Sequence, residues 1–241
     1  MNEVIRQLYD RKSVRSFTDE EIDESIVSEI LTAATMAPTA GNQQLYTIIR
    51  VTDAEKKKRL AESCDHQPFI ADGKLLLVFC ADCFKWFEAF QSAGCKPRKP
   101  GVGDLLLAVD DAVIAAQNAV VAAASYGIGS CYIGDIMENA EIQREILNLP
   151  EYVFPAALVV FGYSTEQQTQ RKKPERCDLK YIVHENTYQK MNPNELKAML
   201  VKNCTEETYD GWIKAFCNRK YNSDFSREMT RSVVEYLKDF L

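Results

Sequence analysis

Hydrophobic residues along the chain follow two spacings, one typical of helices and one typical of buried strands. Residues 2–10 and 18–36 carry apolar side chains every three or four positions, which predicts amphipathic helices. Three short runs are apolar almost throughout and predict buried strands: residues 45–51, 74–81 and 155–163. A fourth predicted strand, residues 127–135, is punctuated by glycines. The pattern therefore predicts a chain in which helices and strands are mixed.

Polar residues at helix starts predict where several helices begin. Residues 18–21, Thr-Asp-Glu-Glu, have the Thr-x-x-Glu spacing of a capping box, so the second helix should begin there and end near Met36. Further caps are predicted at Asn2, Asp53 and Asp104. Beyond about residue 188 the pattern predicts helices to the end of the chain.

The longest apolar-rich segment predicts a buried helix and no membrane span. It runs from Leu105 to Tyr126, and four polar residues interrupt it: Asp110, Asp111, Gln117 and Asn118. Apolar and alanine positions cover most of its circumference, which is typical of a helix buried centrally or in a subunit interface. The N-terminus is amphipathic and contains an acid, unlike a signal peptide. We therefore expect a cytoplasmic protein with no membrane partner.

Composition and charge exclude one broad class of partner. The chain has 241 residues, of which 46% are hydrophobic and 27% are charged, and its formal net charge is -6. A protein that binds nucleic acid generally needs a broad basic surface, so no nucleic-acid partner is expected. A local basic site on such an acidic chain would attract a small anion instead.

The eight cysteines are scattered, and several lie inside apolar runs, as expected for reduced thiols that fill the core. Only Cys80 and Cys83 form a C-x-x-C pair. Such a pair can be a redox centre or half of a metal site. There is no second pair, and His66 and His184 lack metal-site spacing, so we predict no metal site. A thiol-redox protein stays an alternative reading.

A cationic segment lies between the first two predicted helices, and we call residues 11–17 the basic segment. Its polar members are Arg11, Lys12, Ser13, Arg15 and Ser16, while Val14 and Phe17 can anchor it to the core. Guanidinium groups and a hydroxyl are good phosphate ligands. A solvated basic turn is the alternative. Residues 171–176 contain a second basic cluster, which taken by itself indicates a solvated basic loop.

Two further stretches are rich in groups that could contact a ligand. Residues 37–44, which we call the amide-rich loop, contain Thr39, Asn42 and two glutamines; alternatively they only connect a helix to a strand. Phe84 and Trp86 open an aromatic helical stretch that could line a substrate pocket, although core packing explains them equally well.

These parts occur in the order typical of one family. The motifs are R-K-S-V-R at 11–15, A-P-T-A-G-N-Q-Q at 37–44, Gln67 in C-D-H-Q, V-F-C-A-D at 78–82, Y-I-G-D at 132–135, K-P-E-R at 173–176 and Y-I-V-H-E-N-T-Y at 181–188. Each is weak alone, and together they are specific. The sequence resembles the FMN-dependent nitroreductase family, in the branch that also contains NAD(P)H:flavin oxidoreductases, over nearly its whole length.

The resemblance implies an architecture. It implies an α+β fold with a central, mostly antiparallel sheet flanked by helices, and a long buried helix. It also implies one domain over residues 1–241, in which residues 192–241 form a helical C-terminal extension that embraces the partner subunit. The implied assembly is a homodimer with FMN at the interface.

The resemblance also implies which residues bind. The implied ligands of the FMN phosphate and ring edge are Arg11, Lys12, Ser13 and Arg15, with Lys173 and Arg176 joining at the phosphate. The partner subunit would supply Pro38, Thr39 and Asn42. Gln67 would bond the pyrimidine edge, and Tyr132, Ile133, Gly134 and Asp135 would pass the flavin with backbone amides. The aromatic residues Phe84 and Trp86 are the candidate substrate contacts from the sequence itself, and the resemblance adds Arg231 as a contact for NADPH.

The implied activity is that of a flavoprotein oxidoreductase. FMN would take hydride from NADH or NADPH and pass electrons to a nitroaromatic, a quinone or free flavin, with ping-pong kinetics. No side chain need serve as acid or base, so no catalytic residue is named. Asp135 stands where relatives often have a second glycine, and its carboxylate could change which substrates fit. A non-catalytic flavin- or nucleotide-binding protein is the other alternative.

Overall fold

The computed structural model describes residues 1–241, which form two compact units. The first unit contains residues 1–171 and 228–241 and holds the hydrophobic core. The second unit contains residues 172–227.

The first unit contains all four strands and most of the helices. Its elements are α1 (Glu3–Asp10), α2 (Glu24–Thr35), β1 (Tyr46–Arg50), α3 (Ala54–Ser63), α4 (Phe69–Asp72), β2 (Leu75–Asp82), α5 (Phe84–Ser92), α6 (Val102–Ser125), β3 (Ile128–Ile133), α7 (Ala140–Leu147), β4 (Val153–Tyr163) and α8 (Glu166–Gln170). The second unit contains α9 (Pro193–Leu200) and α10 (Tyr209–Lys220). The last helix, α11 (Asp224–Leu237), begins in the second unit and continues in the first.

The four strands form one sheet in the order β1-β2-β4-β3, and every neighbouring pair is antiparallel. Every residue of β2 is buried, as is β4 up to its last residue. These central strands correspond to the continuous apolar runs in the sequence, because both of their faces are covered. The α+β fold with a mostly antiparallel sheet is thereby confirmed.

Helix α6 packs against the sheet through a row of small side chains. Ala108, Ala112, Ala115, Ala116 and Ala119 are fully buried, since alanine lets the helix approach the strands closely. By length and mean hydropathy alone, α6 is also long and apolar enough to cross a membrane. Its burial against the sheet accounts for that composition and confirms the predicted long buried helix.

Two predicted helix starts are wrong. α2 begins at Glu24, where Asp23 accepts a hydrogen bond from the Ser25 amide at 2.7 Å. The predicted capping box at Thr18 does not form, because the Thr18 amide donates to the carbonyl of Tyr163 at 2.8 Å and ties this segment to the end of β4.

The long helix also begins earlier than predicted, at Val102, with Gly101 as the N-cap. Asp104 is therefore the third residue of α6 and not its cap. Its carboxylate still stabilises the helix start, because it accepts the Gly101 amide at 2.8 Å. The predicted caps Asn2 and Asp53 are confirmed.

The second unit is helical from residue 193, as the sequence predicts. Asn192 and Glu195 form a capping box at the start of α9. Trp212 and Phe216 stack on α10, with ring centroids 5.2 Å apart. A single domain over the whole chain, with residues 192–241 as an extension around a partner, stays a prediction.

Two glycines make room for the side chains that anchor the basic segment. A Cβ atom on Gly162 of β4 would lie 2.7 Å from a ring carbon of Phe17. A Cβ on Gly129 of β3 would lie 2.6 Å from Val14, which is 4% exposed. Val14 and Phe17 thus hold the basic segment against the sheet, as predicted.

We expect Gly162→Ala to destabilise the protein by about 1–3 kcal/mol, because the new methyl group must displace the Phe17 ring. Gly103→Ala is the control, since it lies in α6 with nothing within 4 Å of its added Cβ; it should leave the free energy of unfolding unchanged or raise it by up to about 1 kcal/mol. Urea unfolding measures both changes. Equal stability of the two variants would contradict the anchoring role of Phe17.

Candidate functional site

The basic segment lies along the edge strand β3. Ser13 pairs with Ser130 in an isolated parallel bridge, and the Val14 amide donates to the Ser130 carbonyl at 3.0 Å. Gln168 of α8 is buried and clamps the segment from its other side, where its carboxamide bonds the Arg15 amide at 3.3 Å and the Ser13 carbonyl at 3.4 Å. The backbone of the segment is therefore fixed on both sides.

Three of its polar side chains converge on the middle of β3. Burial raises the pKa of the Cys131 thiol, and Arg15, Ser13 and Arg11 oppose that rise. The Arg11 guanidinium also lies over the Tyr132 ring, 6.0 Å from its centroid. The Arg11 Nε atom is buried and has no hydrogen-bond partner. A buried donor without a partner is costly, so this guanidinium is suited to an anionic ligand.

Lys12 is oriented differently from its neighbours. Its ammonium group donates to the carbonyl oxygens of Thr169 and Arg171, and so it caps the C-terminal end of α8. A cleft of about 640 Å³ adjoins Lys12 and Arg11, but Glu3 and Asp10 also line it. This mixed charge makes the cleft a poorer anion site than the surface beside Cys131.

Gln67 is bonded to the segment that follows β3. Its amide nitrogen donates to the Cys64 carbonyl at 2.8 Å and to a carboxylate oxygen of Asp135 at 3.0 Å. A 3₁₀ turn, Gly134–Met137, begins where β3 ends. The first N–H groups of such a turn have no partner within it, so backbone donors are available beside Gln67.

A buried acid that the sequence reasoning missed directly follows this turn. Glu138 is 5% exposed, and one of its carboxyl oxygens has no hydrogen-bond partner. Burial, followed by the charge of Asp135, raises the pKa of Glu138 to about 8. Asp65 and Glu228 add smaller contributions in the same direction. At neutral pH this side chain is therefore mostly the neutral acid.

The amide-rich loop is fixed to α6 by one buried carboxylate. Asp111 is 4% exposed and accepts hydrogen bonds from the Thr39 hydroxyl, from the Ala40 amide at 3.1 Å and from the Leu45 amide at 3.1 Å. Asn42 and Gln44 have positive φ angles of 57° and 51°. Such angles are uncommon for residues other than glycine, and they often mark functional loops.

One predicted substrate residue, Trp86, lies beside this loop. Trp86 Nε1 donates to the Gln43 carbonyl at 2.8 Å, and the Trp86 ring meets that of Phe90 with centroids 5.6 Å apart. Gln43, Trp86 and Phe90 line a cavity of about 310 Å³. Phe84 packs partly buried against the core. A ring-sized cavity thus adjoins Trp86.

The predicted site residues therefore fall into separate groups. One group surrounds β3 and the turn after it: Arg11, Ser13, Arg15, Gln67, Tyr132, Ile133, Gly134 and Asp135. A second lies around the amide-rich loop: Pro38, Thr39, Asn42 and Trp86. Lys173 and Arg176 belong to the second unit, where Arg176 is exposed. Their role as phosphate ligands stays a prediction.

Arg231 is already engaged within the first unit. Its guanidinium pairs with Glu141 and with Glu228, with N–O distances of 2.8 Å in each case. It lowers the pKa of each carboxyl to about 2. A phosphate ligand would have to displace two carboxylates, so nothing in this geometry favours the predicted NADPH contact.

Sequence reasoning missed three residues that shape the site: Asp111, Gln168 and Glu138. The sequence does contain a signal for Asp111: it is an acid on the alanine-rich face of a predicted helix. A carboxylate is tolerated there only when it accepts hydrogen bonds. Gln168 left none, since a glutamine in a polar stretch is ordinary. Glu138 left none either, since an acid just before the start of a helix, here α7 at Ala140, is ordinary.

Comparison with known proteins decides the family. The model of the nitroreductase family matches residues 8–163. The chain belongs to the nitroreductase family. This confirms the resemblance inferred from the motifs, and the matched range includes the basic segment, the amide-rich loop and all four strands.

Curated relatives match most of the chain. An "FMN reductase [NAD(P)H]" from Bacillus subtilis (strain 168) is 33% identical over 238 residues, which are 98% of this chain and 91% of the relative. An "Oxygen-insensitive NADPH nitroreductase" from Salmonella typhimurium is 33% identical over 193 residues, 80% of this chain and 77% of the relative.

Solved nitroreductase-family structures have the same fold. The "NADPH:FMN oxidoreductase from Vibrio harveyi complexed with NAD+" superposes with a TM-score of 0.77 at 26% identity. The match covers 98% of this chain and 97% of that structure.

The nitroreductase site has the donor set that FMN would need. Arg11 and Arg15 supply positive charge, the Ser13 hydroxyl is a neutral donor, and the buried Arg11 Nε lacks a partner. The amide of Gln67 and the backbone of the turn after β3 can meet the polar edge of a ring. These residues fit a phosphorylated flavin.

We expect Asp111→Ala to destabilise the protein by about 2–4 kcal/mol, because it leaves several buried donors of the amide-rich loop without an acceptor. Asp19→Ala is the control, since this carboxylate is exposed and lies outside α6, and its effect should stay within about 0.5 kcal/mol. Thermal unfolding of both variants measures the difference. Equal stability of the two variants would show that contacts other than those of Asp111 hold the loop.

Proposed function

We propose that the protein is an FMN-dependent oxidoreductase that takes hydride from NADH or NADPH and reduces nitroaromatics, quinones or free flavin. The observation that carries this proposal is the convergence of Arg11, Ser13 and Arg15 on β3, with one buried guanidinium nitrogen unpartnered. The family membership and the relatives named FMN reductase and NADPH nitroreductase support it.

The chain's own residues bind and orient in this proposal. Arg11, Ser13 and Arg15 hold the phosphate and the adjoining ring edge by charge-assisted hydrogen bonds. Lys12 supports this surface by capping α8, and Lys173 and Arg176 are proposed to join at the phosphate. When bound, FMN supplies the hydride chemistry. Gln67 fixes one polar edge of the ring, and no side chain is assigned as general acid or base.

One open face for both substrates gives ping-pong kinetics in this proposal, since the chain has no separate nucleotide-binding fold. Trp86 and its cavity beside the amide-rich loop are the proposed contact for a flat acceptor.

The thiol-redox alternative is disfavoured by burial. Cys80 and Cys83 are 0% and 5% exposed. Burial raises the pKa of both thiols to about 12. A thiol with so high a pKa stays protonated at neutral pH and is a poor nucleophile, so these cysteines serve as core residues.

We propose a homodimer in which the partner's amide-rich loop completes the site. Support comes from apolar side chains that are exposed in one copy, namely Leu106, Leu107 and Ile114 on α6 with Val4 and Leu8 on α1. Exposed apolar patches of this kind commonly mark interfaces. Pro38, Thr39 and Asn42 would then reach the cofactor from the second subunit, and the enzyme would act in the cytoplasm.

We expect the purified protein to bind FMN and to lose its visible absorbance when NADH or NADPH is added without oxygen. Arg15→Ala should weaken FMN binding at least about tenfold, because a charge-assisted hydrogen bond contributes about 1.5–3 kcal/mol. Fluorescence quenching of FMN measures the dissociation constant.

Arg59→Ala is the control for that experiment, because Arg59 pairs with Glu145 on the surface of α3. It should bind FMN like the unaltered protein. Binding of FMN without any bleaching by either nicotinamide would identify a non-catalytic flavin-binding protein. A protein that takes up no FMN would contradict the whole proposal.

We expect Leu106→Glu combined with Ile114→Glu to convert the dimer into a monomer and to weaken FMN binding, because the charges lie within the proposed interface. Ile142→Glu is the control, since Ile142 is similarly exposed but lies on α7. Light scattering after size-exclusion chromatography gives the mass of each variant. A dimer that survives both charges would place the interface elsewhere.

A further inference from the structure

The hydrogen bonds of Gln67 leave only one of its groups available to a ligand. Its two neighbours, the Cys64 carbonyl and an Asp135 carboxylate oxygen, are both acceptors, 2.8 Å and 3.0 Å from the amide nitrogen. The NH₂ group must therefore face them, and both of its hydrogens are used. What Gln67 presents to a ligand is its carbonyl oxygen, which accepts from an N–H group.

This orientation depends on Asp135 remaining an acceptor at its present position. If the carboxylate moved away, the Gln67 amide would be free to rotate and could present NH₂ instead of oxygen. The Cys64 carbonyl cannot fix the amide group by itself, because it accepts only one of the two amide hydrogens.

Glu138 directly follows the turn that contains Asp135. The Glu138 amide donates to the Asp135 carbonyl at 3.0 Å, and the Asp135 carboxylate raises the pKa of Glu138 both by its charge and by side-chain hydrogen bonding. Glu138 is only 5% exposed, and one of its carboxyl oxygens has no hydrogen-bond partner. Two ionised carboxylates in contact repel, so one shared proton is needed to hold them together.

We propose that Glu138, as the neutral acid, donates a hydrogen bond to Asp135 and thereby holds Asp135 against Gln67, so that Gln67 offers its carbonyl oxygen to an N–H group of the ligand. Glu138 and Asp135 are positioning residues in this scheme. The inference rests on the proposed function, because the N–H group is that of the pyrimidine edge of the flavin.

Glu138 is surrounded by acidic groups, which favour its protonated form. The ionisable groups that face it are Asp135 in the preceding turn, Asp65 after α3 and Glu228 on α11. The Cys64 thiol is also nearby, and its pKa is raised to about 12, mainly by burial. Arg231, which pairs with Glu228, is also paired with Glu141.

Loss of the proton from Glu138 near pH 8 therefore creates a second negative charge with no cation to receive it. Asp135 is then repelled from its place beside Gln67, and the ligand loses a fixed acceptor. Flavin affinity should consequently fall as the pH rises through about 8.

The test measures flavin binding by fluorescence quenching from about pH 6 to about pH 9, a range that contains the Glu138 transition and stays below the ionisation of the flavin's own N–H group. Riboflavin is the main probe, because it lacks the phosphate whose own ionisation would alter the profile, and FMN is measured in parallel. We expect riboflavin affinity to fall about tenfold across the transition, the effect of one lost hydrogen bond.

Three variants separate the roles. Glu138→Gln keeps a donor and cannot ionise, so it should bind like the unaltered protein at neutral pH and lose the pH dependence. Glu138→Met lacks a donor and should bind about tenfold more weakly throughout. Glu145→Gln, an exposed acid on α7, should keep the profile of the unaltered protein. A fall in affinity that persists in Glu138→Gln would overturn the proposal.

A second measurement uses the protein without any flavin. At neutral pH its infrared spectrum should contain the C=O band of a protonated carboxyl group, which Glu138→Gln should remove. The free energy of unfolding should also fall between about pH 4.5 and about pH 8 relative to Glu138→Gln, because only the folded state keeps the proton in that range.

These outcomes separate failure of the Glu138 proposal from failure of the proposed flavin-binding function. Absence of the carboxyl band would overturn the shared proton whether or not flavin binds. A protein with the band that binds no flavin at any pH would contradict the proposed function, and with it the role assigned to Gln67. Flavin binding with a pH-independent affinity would contradict the positioning role alone.

Discussion

The candidate site depends on the pairing of the basic segment with the open edge of the sheet. β3 is an edge strand, so its outer N–H and C=O groups have no strand partner. The Ser13–Ser130 bridge and the Val14 amide use that edge, and Gln168 clamps the segment from the other side. Because its backbone is fixed in this way, the like-charged Arg11 and Arg15 side chains are held beside Cys131 although they repel each other.

The site is electrically asymmetric along β3 and the turn after it. Positive charge from Arg11 and Arg15 lies beside Cys131, whereas Asp135 and Glu138 follow the end of the strand. A flavin with an anionic tail and a polar ring edge matches such an arrangement, provided that the acidic end carries little net charge. The raised pKa of Glu138 meets this condition at neutral pH, because burial and neighbouring acids favour its neutral form.

Helix α6 fixes the amide-rich loop through one buried polar residue, Asp111. Asp111 interrupts an alanine-rich buried face, yet its bonds go to the amide-rich loop and to Leu45, the residue that follows it. The loop therefore keeps a backbone with two left-handed residues, Asn42 and Gln44, that its own sequence does not favour. In this way the core helix fixes the position of Thr39.

The sequence by itself determined the strands, the long helix and the family. Continuous apolar runs and spaced motifs are local patterns, and burial on both faces of β2 and β4 is their direct consequence. The sequence could not place the start of α2, because the amide of Thr18 is taken by Tyr163, far along the chain. Only the tertiary structure decided that Lys12 caps a helix while Arg11 keeps an unpartnered nitrogen, and that burial raises the pKa of Glu138. Each depends on burial and on partners distant in sequence, and no local pattern encodes these.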